Sequence, residues 1–465
     1  MAPPIFALAP SHLSSSPPPL PHHLLRATVG TLAESAAERR GGGGGGGGGG
    51  NPVHLPPPIE SLRRGDWVKL ICGASFEDAA DVRNLSLVYT LAGVDCIDCA
   101  ADESVVNAVN EGINVALSIA RVRRPWVMIS VNDDREDLHF RKAEFDPEDC
   151  PGDCLRPCEK VCPADAILLE SSSKGNKSLQ SDSSCDKIKS GVITERCYGC
   201  GRCLSICPYD KIRAVTYVRD PSLTSHLLSR DDVDAIEIHT SGRGTDLFSD
   251  LWSSLGDSLD HVKLIAVSLP DVGPSTVAVM NAICSIMESH PCRYNLWQLD
   301  GRPMSGDIGR GATREAIAFA VRLASTQDKP HGFYQVAGGT NSHTIDCLKK
   351  VGLFQAVNFP ERSSETSGAA KLDGSKQALI GGIAYGGYAR KQIDTSKNLL
   401  LSKAEMYFTT REHKLQSKIV GRVLRKIPTQ HGHARIEDHL EFLLEALKEA
   451  SSLLGPVKCY DEYLT

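Results

Sequence analysis

The chain has 465 residues, of which 41% are hydrophobic and 23% are charged, and its net charge is −6. These values are typical of a globular protein with several domains or one large barrel, and they require no strongly basic face that would bind nucleic acid. No stretch reaches the roughly 18 consecutive apolar residues of a membrane span. Eight of the 16 cysteines fall in two short runs, which favours metal ligation over disulfides.

The first 58 residues differ in composition from the rest of the chain. Residues 1–33 contain no Asp or Glu and are rich in Ser, Pro and Leu, which is typical of a transit peptide; the low density of Arg favours the chloroplast stroma. Ten consecutive glycines at 41–50 predict a disordered spacer. The alternative is an ordinary disordered tail. We expect the folded part to begin near Ile59.

Eight short apolar runs follow, and each leads into helix-like sequence. Strands are predicted at 67–75, 96–101, 125–132, 235–240, 263–270, 293–301, 332–341 and 378–387. Helices are predicted at 81–93, 103–117, 245–255, 276–287, 312–325 and 343–353, with a closing helix at 433–455. Near-continuous apolar strands joined by helices predict a parallel α/β sheet, and eight such units favour a (β/α)8 barrel. An open doubly wound sheet is the alternative.

The cysteine-rich segment interrupts this alternation after the third strand. We therefore predict a barrel formed by residues 59–140 and 219–465, with an inserted ferredoxin-like domain at 141–218. The basic stretch 411–426 is interpreted as a solvated helix face in preference to a binding surface.

The second cysteine run reads CYGCGRCLSICP at 197–208. It matches the bacterial iron–sulfur pattern C-x2-C-x2-C-x3-C-P without departure. In that pattern three closely spaced thiolates hold one [4Fe–4S] cluster, and the fourth, before the proline, ligates a second cluster. Gly199 and Gly201 are expected to let the backbone approach the cluster closely. A zinc module is the weaker alternative, because zinc favours two separated pairs of ligands.

The first cysteine run, DCPGDCLRPCEKVCP at 149–163, has two gaps that are each one residue wider. Aligned backwards from their prolines, the two runs match at an offset of 45 residues. The matched pairs include Pro163 and Pro208, Asp165 and Asp210, and Ile167 and Ile212. The wider gaps raise the offset to 46 at Cys154 and 47 at Cys150. We infer an internal duplication of the ferredoxin kind, with residues 171–190 inserted between the halves.

The fourth cysteine of each run is expected to cross over to the other cluster. The predicted ligands of one cluster are Cys150, Cys154, Cys158 and Cys207, and those of the other are Cys197, Cys200, Cys203 and Cys162. Residues predicted to shield the clusters from solvent are Val161, Ile167, Ile206 and Ile212. The wider gaps leave open whether the first site is fully occupied.

The other cysteines have simpler interpretations. Those in apolar elements are predicted to be buried core residues: Cys72, Cys96, Cys99, Cys284 and Cys347. Cys96 and Cys99 form a CxxC, but residues three apart in a strand face opposite sides. Cys185 lies in the polar insert and is not expected to be a ligand.

Five motifs together resemble the light-dependent period protein A family. They are DCPGDCLRPCEKVCPADAI, ERCYGCGRCLSICP, LDGRPMSGDIGRG, VAGGTN and AYGGYAR, and the resemblance runs from about Gly65 to Arg390. It implies a protein that carries two iron–sulfur clusters and, in cyanobacteria, conveys redox state to the circadian clock input. For this chain it implies electron-carrying or redox-sensing work in a plastid, together with a redox partner protein.

The loops after the seventh and eighth predicted strands are candidates for binding phosphate, as they often are in (β/α)8 barrels. The candidate residues are Gly338, Gly339, Thr340, Gly386 and Gly387, with Asn341, Tyr388 and Arg390 beside them. The sixth loop, 300–311, adds Arg302, Asp307 and Arg310. We hypothesise a flavin such as FMN or another phosphorylated ligand, which makes an iron–sulfur oxidoreductase the enzymatic alternative. Glycines that only form tight turns are the simpler explanation. No GxGxxG opens a helix, so a nicotinamide site is not predicted.

Overall fold

The computed structural model describes residues 27–34, 56–134, 137, 140–162, 164–169, 191–289, 294–301, 311–358, 377–390 and 435–458. The strands in these ranges are β1 (Trp67–Ile71), β2 (Cys96–Ala100), β3 (Trp126–Asn132), β4 (Arg141–Glu144), β5 (Ile167–Leu168), β6 (Gly191–Val192), β7 (Arg213–Thr216), β8 (Ala235–His239), β9 (Leu264–Leu269), β10 (Tyr294–Leu299), β11 (Phe333–Val336), β12 (Val357–Asn358), β13 (Gln377–Ala378) and β14 (Gly382–Tyr385).

The helices are α1 (27–34), α2 (Pro58–Arg64), α3 (Ala79–Leu91), α4 (Glu103–Ile119), α5 (Pro157–Val161), α6 (Arg202–Ile206), α7 (Pro221–Leu228), α8 (Asp246–Leu255), α9 (Thr276–Met287), α10 (Ala312–Ala324), α11 (Thr344–Lys350), α12 (Gly387–Arg390) and α13 (Leu440–Lys458). None of these described helices has the length and apolar content needed to cross a bilayer.

Eight parallel strands close into a barrel in the order β1, β14, β11, β10, β9, β8, β3, β2. The predicted (β/α)8 barrel is confirmed, and the open doubly wound alternative is wrong, because β1 pairs with both β2 and β14. The closing contact depends on a glycine: a Cβ at Gly382 would lie 2.1 Å from the carbonyl oxygen of Trp67. A side chain there would therefore push β14 away from β1.

The interior of the barrel has two chemically different ends. At the amino ends of the strands it is filled by a buried apolar cluster that α2 plugs with Ile59 and Leu62. At the carboxyl ends the inward side chains are polar or ionisable, among them Lys69, Asp98 and Glu237. Function in these barrels belongs to the carboxyl-end face, and the opposite face serves stability. The barrel therefore has a stabilised base and a polar mouth.

The layer between the strands and the outer helices forms the main hydrophobic core. Helices α3 and α4 approach closely because Gly112 has no side chain, and a Cβ there would lie 2.2 Å from the carbonyl oxygen of Arg83. The predicted closing helix is present as α13, which buries Leu443 and Leu447 in this layer.

Helix α1 lies ahead of Ile59, where the sequence predicted that the folded part begins. Its Val29 and Ala33 are buried in the main core, and the backbone N–H of Arg121 donates to the Glu34 carboxylate over 3.1 Å. A segment this short gives too few apolar positions for a periodic signal. The transit peptide and its bounds stay predictions.

The inserted segment between β3 and β8 forms two small antiparallel sheets, β4 with β7 and β5 with β6, and the helices α5 and α6. The predicted bounds of the insert, 141 and 218, enclose these elements, whereas the predicted boundary between 58 and 59 falls within α2; all of these boundaries stay predictions. Several sequence predictions lie outside the described residues, namely those on Arg302, Asp307, Arg310, Cys185 and the basic stretch 411–426.

Candidate metal centre and barrel cavity

The two cysteine runs adopt the same backbone conformation 45 residues apart. Helix α5 spans 157–161 and α6 spans 202–206, and each follows a left-handed residue, Arg156 with φ 53° and Gly201 with φ 75°. Asp165 and Asp210 repeat the pattern with φ 47° and 51°. Positive φ is unusual for residues other than glycine, so its recurrence at equivalent positions supports the predicted duplication.

Backbone N–H groups donate to cysteine sulfurs at matching positions. The N–H of Ala166 donates to Cys162 Sγ over 3.2 Å, and that of Lys211 donates to Cys207 Sγ over 3.4 Å. A further donor from β4, the N–H of Ala143, reaches Cys197 Sγ over 3.3 Å. Such hydrogen bonds stabilise negative charge on sulfur, which is what ligands of an iron–sulfur cluster require.

Four cysteines line one cavity of about 440 Å³, part of it open to solvent. They are Cys162, Cys197, Cys200 and Cys203. Burial and then the thiols of the other three cysteines raise the pKa of Cys203 to about 12. These four residues are one of the two predicted sets, and we call them the inner set.

The other four cysteines form a separate electrostatic group. Partial burial and then the thiols of Cys154 and Cys207 raise the pKa of Cys150. The pKa of Cys158 is likewise raised by burial and, among its other causes, by Cys150 and Cys207. Cys207 therefore lies with the first run and not with its own, as the crossing predicted. We call Cys150, Cys154, Cys158 and Cys207 the outer set.

The chemistry of both sets fits an iron–sulfur cluster. Burial and neighbouring thiols disfavour the ionised form of the cysteines. The positive charge of a group of irons would stabilise the thiolates. Within the described ranges, no three or more Cys, His, Asp and Glu side chains are arranged around a single metal ion. Thiols that line a cavity suit a multi-iron cluster.

The two glycines of the second run serve packing against β4. A Cβ at Gly199 would lie 2.2 Å from the carbonyl oxygen of Arg141, and one at Gly201 would lie 2.4 Å from its Nη2. Arg141 Nε donates to the Gly199 carbonyl over 2.9 Å. These glycines therefore allow β4 to lie directly over the cysteine loop.

The shielding residues were only half correctly predicted. Ile167 and Ile212 are buried beside Cys158 and Cys203 in one small apolar cluster. Ile206, by contrast, is 44% exposed and Val161 is only partly buried. Both lie at the ends of one-turn helices, where the side chain turns outward. The cluster is completed instead by residues such as Phe145, Val192 and Leu204.

Comparison with known proteins agrees with this site. The family model "Light dependent period A C-terminal domain" matches residues 227–456, and the model "LdpA Fe-S cluster-binding domain" matches residues 150–218. The chain is 36% identical over 401 residues to "Light dependent period A" of Synechococcus elongatus, which covers 86% of this chain and 94% of that protein. The chain belongs to the light dependent period A family. It is accordingly an iron–sulfur protein, as the family's cluster-binding domain indicates.

A second cavity opens at the carboxyl ends of the barrel strands and encloses roughly 750 Å³, part of it open to solvent. All five candidate phosphate-binding residues line it: Gly338, Gly339, Thr340, Gly386 and Gly387. Arg390 lines it as well. The seventh and eighth loops thus meet at one site, as the phosphate hypothesis requires, and the role of these residues stays a prediction.

Two of the five candidates have structural roles that explain them without a ligand. A Cβ at Gly338 would lie 2.5 Å from the carbonyl oxygen of Asp300, so glycine is needed there for packing. The hydroxyl of Thr340 donates to the Ala384 carbonyl, which ties the seventh loop to β14. A Cβ at Gly387, however, would meet nothing within 4 Å.

The floor of the barrel cavity is an ionic network that sequence analysis did not predict. Lys69 Nζ pairs with Glu237 and lies 3.6 Å from Asp98 Oδ2. Gln298 Nε2 donates to Glu237 Oε1 over 2.6 Å, and Gln335 Nε2 donates to Gln298 Oε1 over 2.8 Å. The sequence signal for this network is a charged residue in the middle of two apolar strands, Lys69 in WVKLI and Glu237 in AIEIH. A charge in a buried strand requires a polar partner in the interior.

Asp98 is the carboxyl group in this network that holds a proton near neutral pH. Burial raises its pKa to about 7, although Lys69 opposes the shift and Ser130 Oγ donates to it over 2.5 Å. Glu237 is equally buried, but Lys69 keeps its pKa below the usual value. Ionisable groups with divergent pKa values in a cleft are typical of functional sites.

Tyr198 connects the two cavities. It lies between Cys197 and Gly199 in the second cysteine run and lines both the inner-set cavity and the barrel cavity. Its ring centroid lies 5.0 Å from the guanidinium carbon of Arg390. One side chain therefore separates the inner thiols from the barrel mouth.

Among the other cysteines that the structure describes, three are buried as predicted and two are only partly buried. Cys72, Cys96 and Cys99 are fully buried. Cys96 belongs to the barrel interior and Cys99 to the layer under the helices, so they face opposite sides of β2. Cys284 and Cys347 are partly buried against the main core.

Proposed function

We propose that this protein binds two [4Fe–4S] clusters and uses them to sense or relay redox state in the plastid stroma. The observation that carries the proposal is the division of eight cysteines into two crossed sets with repeated geometry. A bound [4Fe–4S] cluster supplies a centre that accepts and donates one electron. The acid-poor N-terminus supports the plastid location.

The chain's own residues would set the potential at each site. Backbone N–H donors to Cys162, Cys197 and Cys207 stabilise added negative charge and therefore favour the reduced state. Burial by Ile167 and Ile212 opposes added charge by excluding water. Each set has one buried cysteine, Cys203 in the inner set and Cys158 in the outer set, and three partly exposed ones.

A redox partner protein has a plausible docking face at the outer set. Leu155 is 80% exposed, and Tyr209, near Asp153 and Cys154, is 42% exposed. Exposed apolar residues beside a redox centre are typical of a transient protein interface. We expect electrons to enter or leave there.

The redox role is tested by potentiometric titration of the anaerobically purified protein, followed by visible absorbance and electron paramagnetic resonance. Reversible one-electron reduction at two centres is the expected result. Irreversible bleaching at every potential would count against a relay or sensor. In a parallel test of location, residues 1–58 fused to a fluorescent protein should direct it into plastids.

The second candidate function is an oxidoreductase that uses the clusters to serve a flavin or another phosphorylated ligand in the barrel. The meeting of the seventh and eighth loops at one cavity and the shared Tyr198 favour it. A cluster-loaded sample should then reduce a dye with a reductant such as NAD(P)H or ferredoxin. Absence of turnover with a bound flavin present would favour the non-catalytic role.

A further inference from the structure

The barrel cavity has a cationic rim over an ionic floor. Asp98, Glu237 and Gln298 form part of the floor, and Arg390, Tyr198 and the eighth loop form part of the rim. The cavity is partly open to solvent, and polar or charged side chains line much of it. The question is therefore which chemical group the rim would recognise.

Arg390 is partly buried and differs from the buried cations of the described chain. The buried cations Lys69, Arg83, Lys142 and Lys458 each have a carboxylate within 4 Å. Arg390 has no such partner among the described residues, and its buried Nε lacks a hydrogen-bond acceptor. Partial removal of a guanidinium from water without a counter-charge is unfavourable, so an anion beside Arg390 would stabilise the site.

The fold holds Arg390 in this position. The Tyr89 hydroxyl donates to the Ala389 carbonyl over 3.1 Å and anchors α12. The guanidinium lies over the rings of Tyr198 and Phe76, with its carbon 5.0 and 5.8 Å from their centroids. A Cβ at Gly73, which has a φ of 118°, would lie 3.0 Å from Nη1, so glycine leaves room for the group. Two aromatic rings and the space at Gly73 therefore position the guanidinium at the rim.

Burial lowers the pKa of Arg390, although Tyr198, Cys72 and Asp98 oppose the shift. The surroundings of Arg390 therefore disfavour the charged guanidinium unless an anion binds beside it. Gly338 and Thr340 give no comparable evidence for an anion site. Packing against Asp300 explains Gly338, and the hydrogen bond to the Ala384 carbonyl explains Thr340.

We propose that the barrel cavity binds a small organic anion whose phosphate or carboxylate group pairs with Arg390. The polar body of the ligand lies toward Gln298 and the floor. This deepens the second candidate function by assigning the ligand's charge and the residue that binds it. Because Tyr198 contacts Arg390 and lines the inner-set cavity, the ligand would also lie one side chain from the inner cluster site.

The test measures binding of inorganic phosphate, acetate and FMN to the full-length, cluster-loaded protein by isothermal titration calorimetry. We expect binding by the wild type and a loss of about tenfold or more in Arg390→Gln, since a charged hydrogen-bonded pair contributes about 1.5–3 kcal/mol. Arg63→Gln, on α2 at the opposite end of the barrel, is the matched control and should bind like the wild type. Preference for phosphate and FMN over acetate identifies a phosphorylated ligand, and the reverse identifies a carboxylate.

Equal affinity in Arg390→Gln, or no binding of any probe by the wild type, overturns the proposal. Iron and sulfide content is measured in every sample, so that failure of cluster binding is distinguished from failure of anion binding. If Arg390→Gln loses its iron, Arg390→Lys replaces it: the charge stays but the two-pronged contact is lost, so affinity should fall several-fold, and unchanged affinity is again the contrary result. In a buffer of chloride alone, Arg390→Gln should melt no lower than the wild type, because it removes an unpaired charge.

Discussion

At the scale of single residues, the crossing of Cys162 and Cys207 is the sharpest claim. Cys207 belongs to the second run but raises the pKa of Cys150 in the first. Cys162 belongs to the first run but raises the pKa of Cys203 in the second. We predict that Cys162→Ser and Cys197→Ser remove the same electron paramagnetic resonance signal, since both belong to the inner set. Cys207→Ser and Cys150→Ser should remove the other signal.

The control for that series is Cys284→Ser, a partly buried core cysteine, which should leave both signals intact. If Cys207→Ser instead removed the signal lost in Cys197→Ser, each run would hold its own cluster and the crossing would be wrong.

Asp98 gives a prediction about pH. Its pKa in the folded protein is about 7, well above the ordinary 3.8, chiefly because of burial. The folded state therefore binds this proton more tightly than the unfolded chain, and the associated stabilisation is lost as pH rises from about 4 to about 7. The melting temperature of Asp98→Asn should rise relative to that of the wild type between about pH 4 and about pH 7.

Asp271 is the matched control, because its shift has the opposite sign. Partial burial opposes its ionisation, but the Arg322 guanidinium holds its pKa below the usual value. Asp271→Asn should therefore lower the melting temperature most at neutral pH and least in acid. If the difference in melting temperature between Asp98→Asn and the wild type did not change with pH, Asp98 would not hold a proton in the folded protein.

At the scale of elements, Gly199 joins β4 to the cysteine loop. An alanine there would sit at φ 71° and meet the Arg141 carbonyl at 2.2 Å, so β4 must move. We expect Gly199→Ala to cost about 2–4 kcal/mol in the inserted domain, from overpacking and left-handed strain. The midpoint for thermal loss of cluster absorbance should fall.

Gly152→Ala is the control within the first cysteine run, since a Cβ there meets nothing within 4 Å. Its midpoint should stay at the wild-type value. Equal midpoints for the two variants would mean that β4 does not depend on its close contact with the loop.

The elements also show what sequence can and cannot predict. The barrel strands were predictable because each is a short apolar run followed by a helical pattern. The spacing of the cysteines indicates an iron–sulfur motif, and the crossed assignment of the ligands stays a prediction. Helix α2, whose Ile59 and Leu62 fill the amino end of the barrel, was not predictable, because seven residues are too few to show a helical period. The floor network needed the closed barrel, which brings Lys69, Asp98 and Glu237 together from three strands.

At the scale of the whole molecule, Glu77 joins the barrel to the inserted domain. Its carboxylate pairs with Lys142 of β4 over 2.7 Å and with Arg219, after β7, over 2.6 Å. Glu77→Gln would leave two largely buried cations without their carboxylate, which we expect to cost about 2–4 kcal/mol. Hydrogen exchange in β4 and β7 should become faster.

The control is Glu60→Gln, which breaks a more exposed pair with Arg63 and should change stability by less than about 1 kcal/mol. Unchanged exchange in β4 and β7 of Glu77→Gln would show that the two parts are held together by other contacts, such as the one between Arg390 and Tyr198.

The central claim is that one chain holds two clusters. It is tested most directly by iron and acid-labile sulfide analysis of anaerobically purified, full-length protein. The account predicts about eight iron and eight sulfide per chain, four of each for every [4Fe–4S] cluster. About four of each would mean that the stretched first run does not complete a site, and one to two zinc without sulfide would contradict the account.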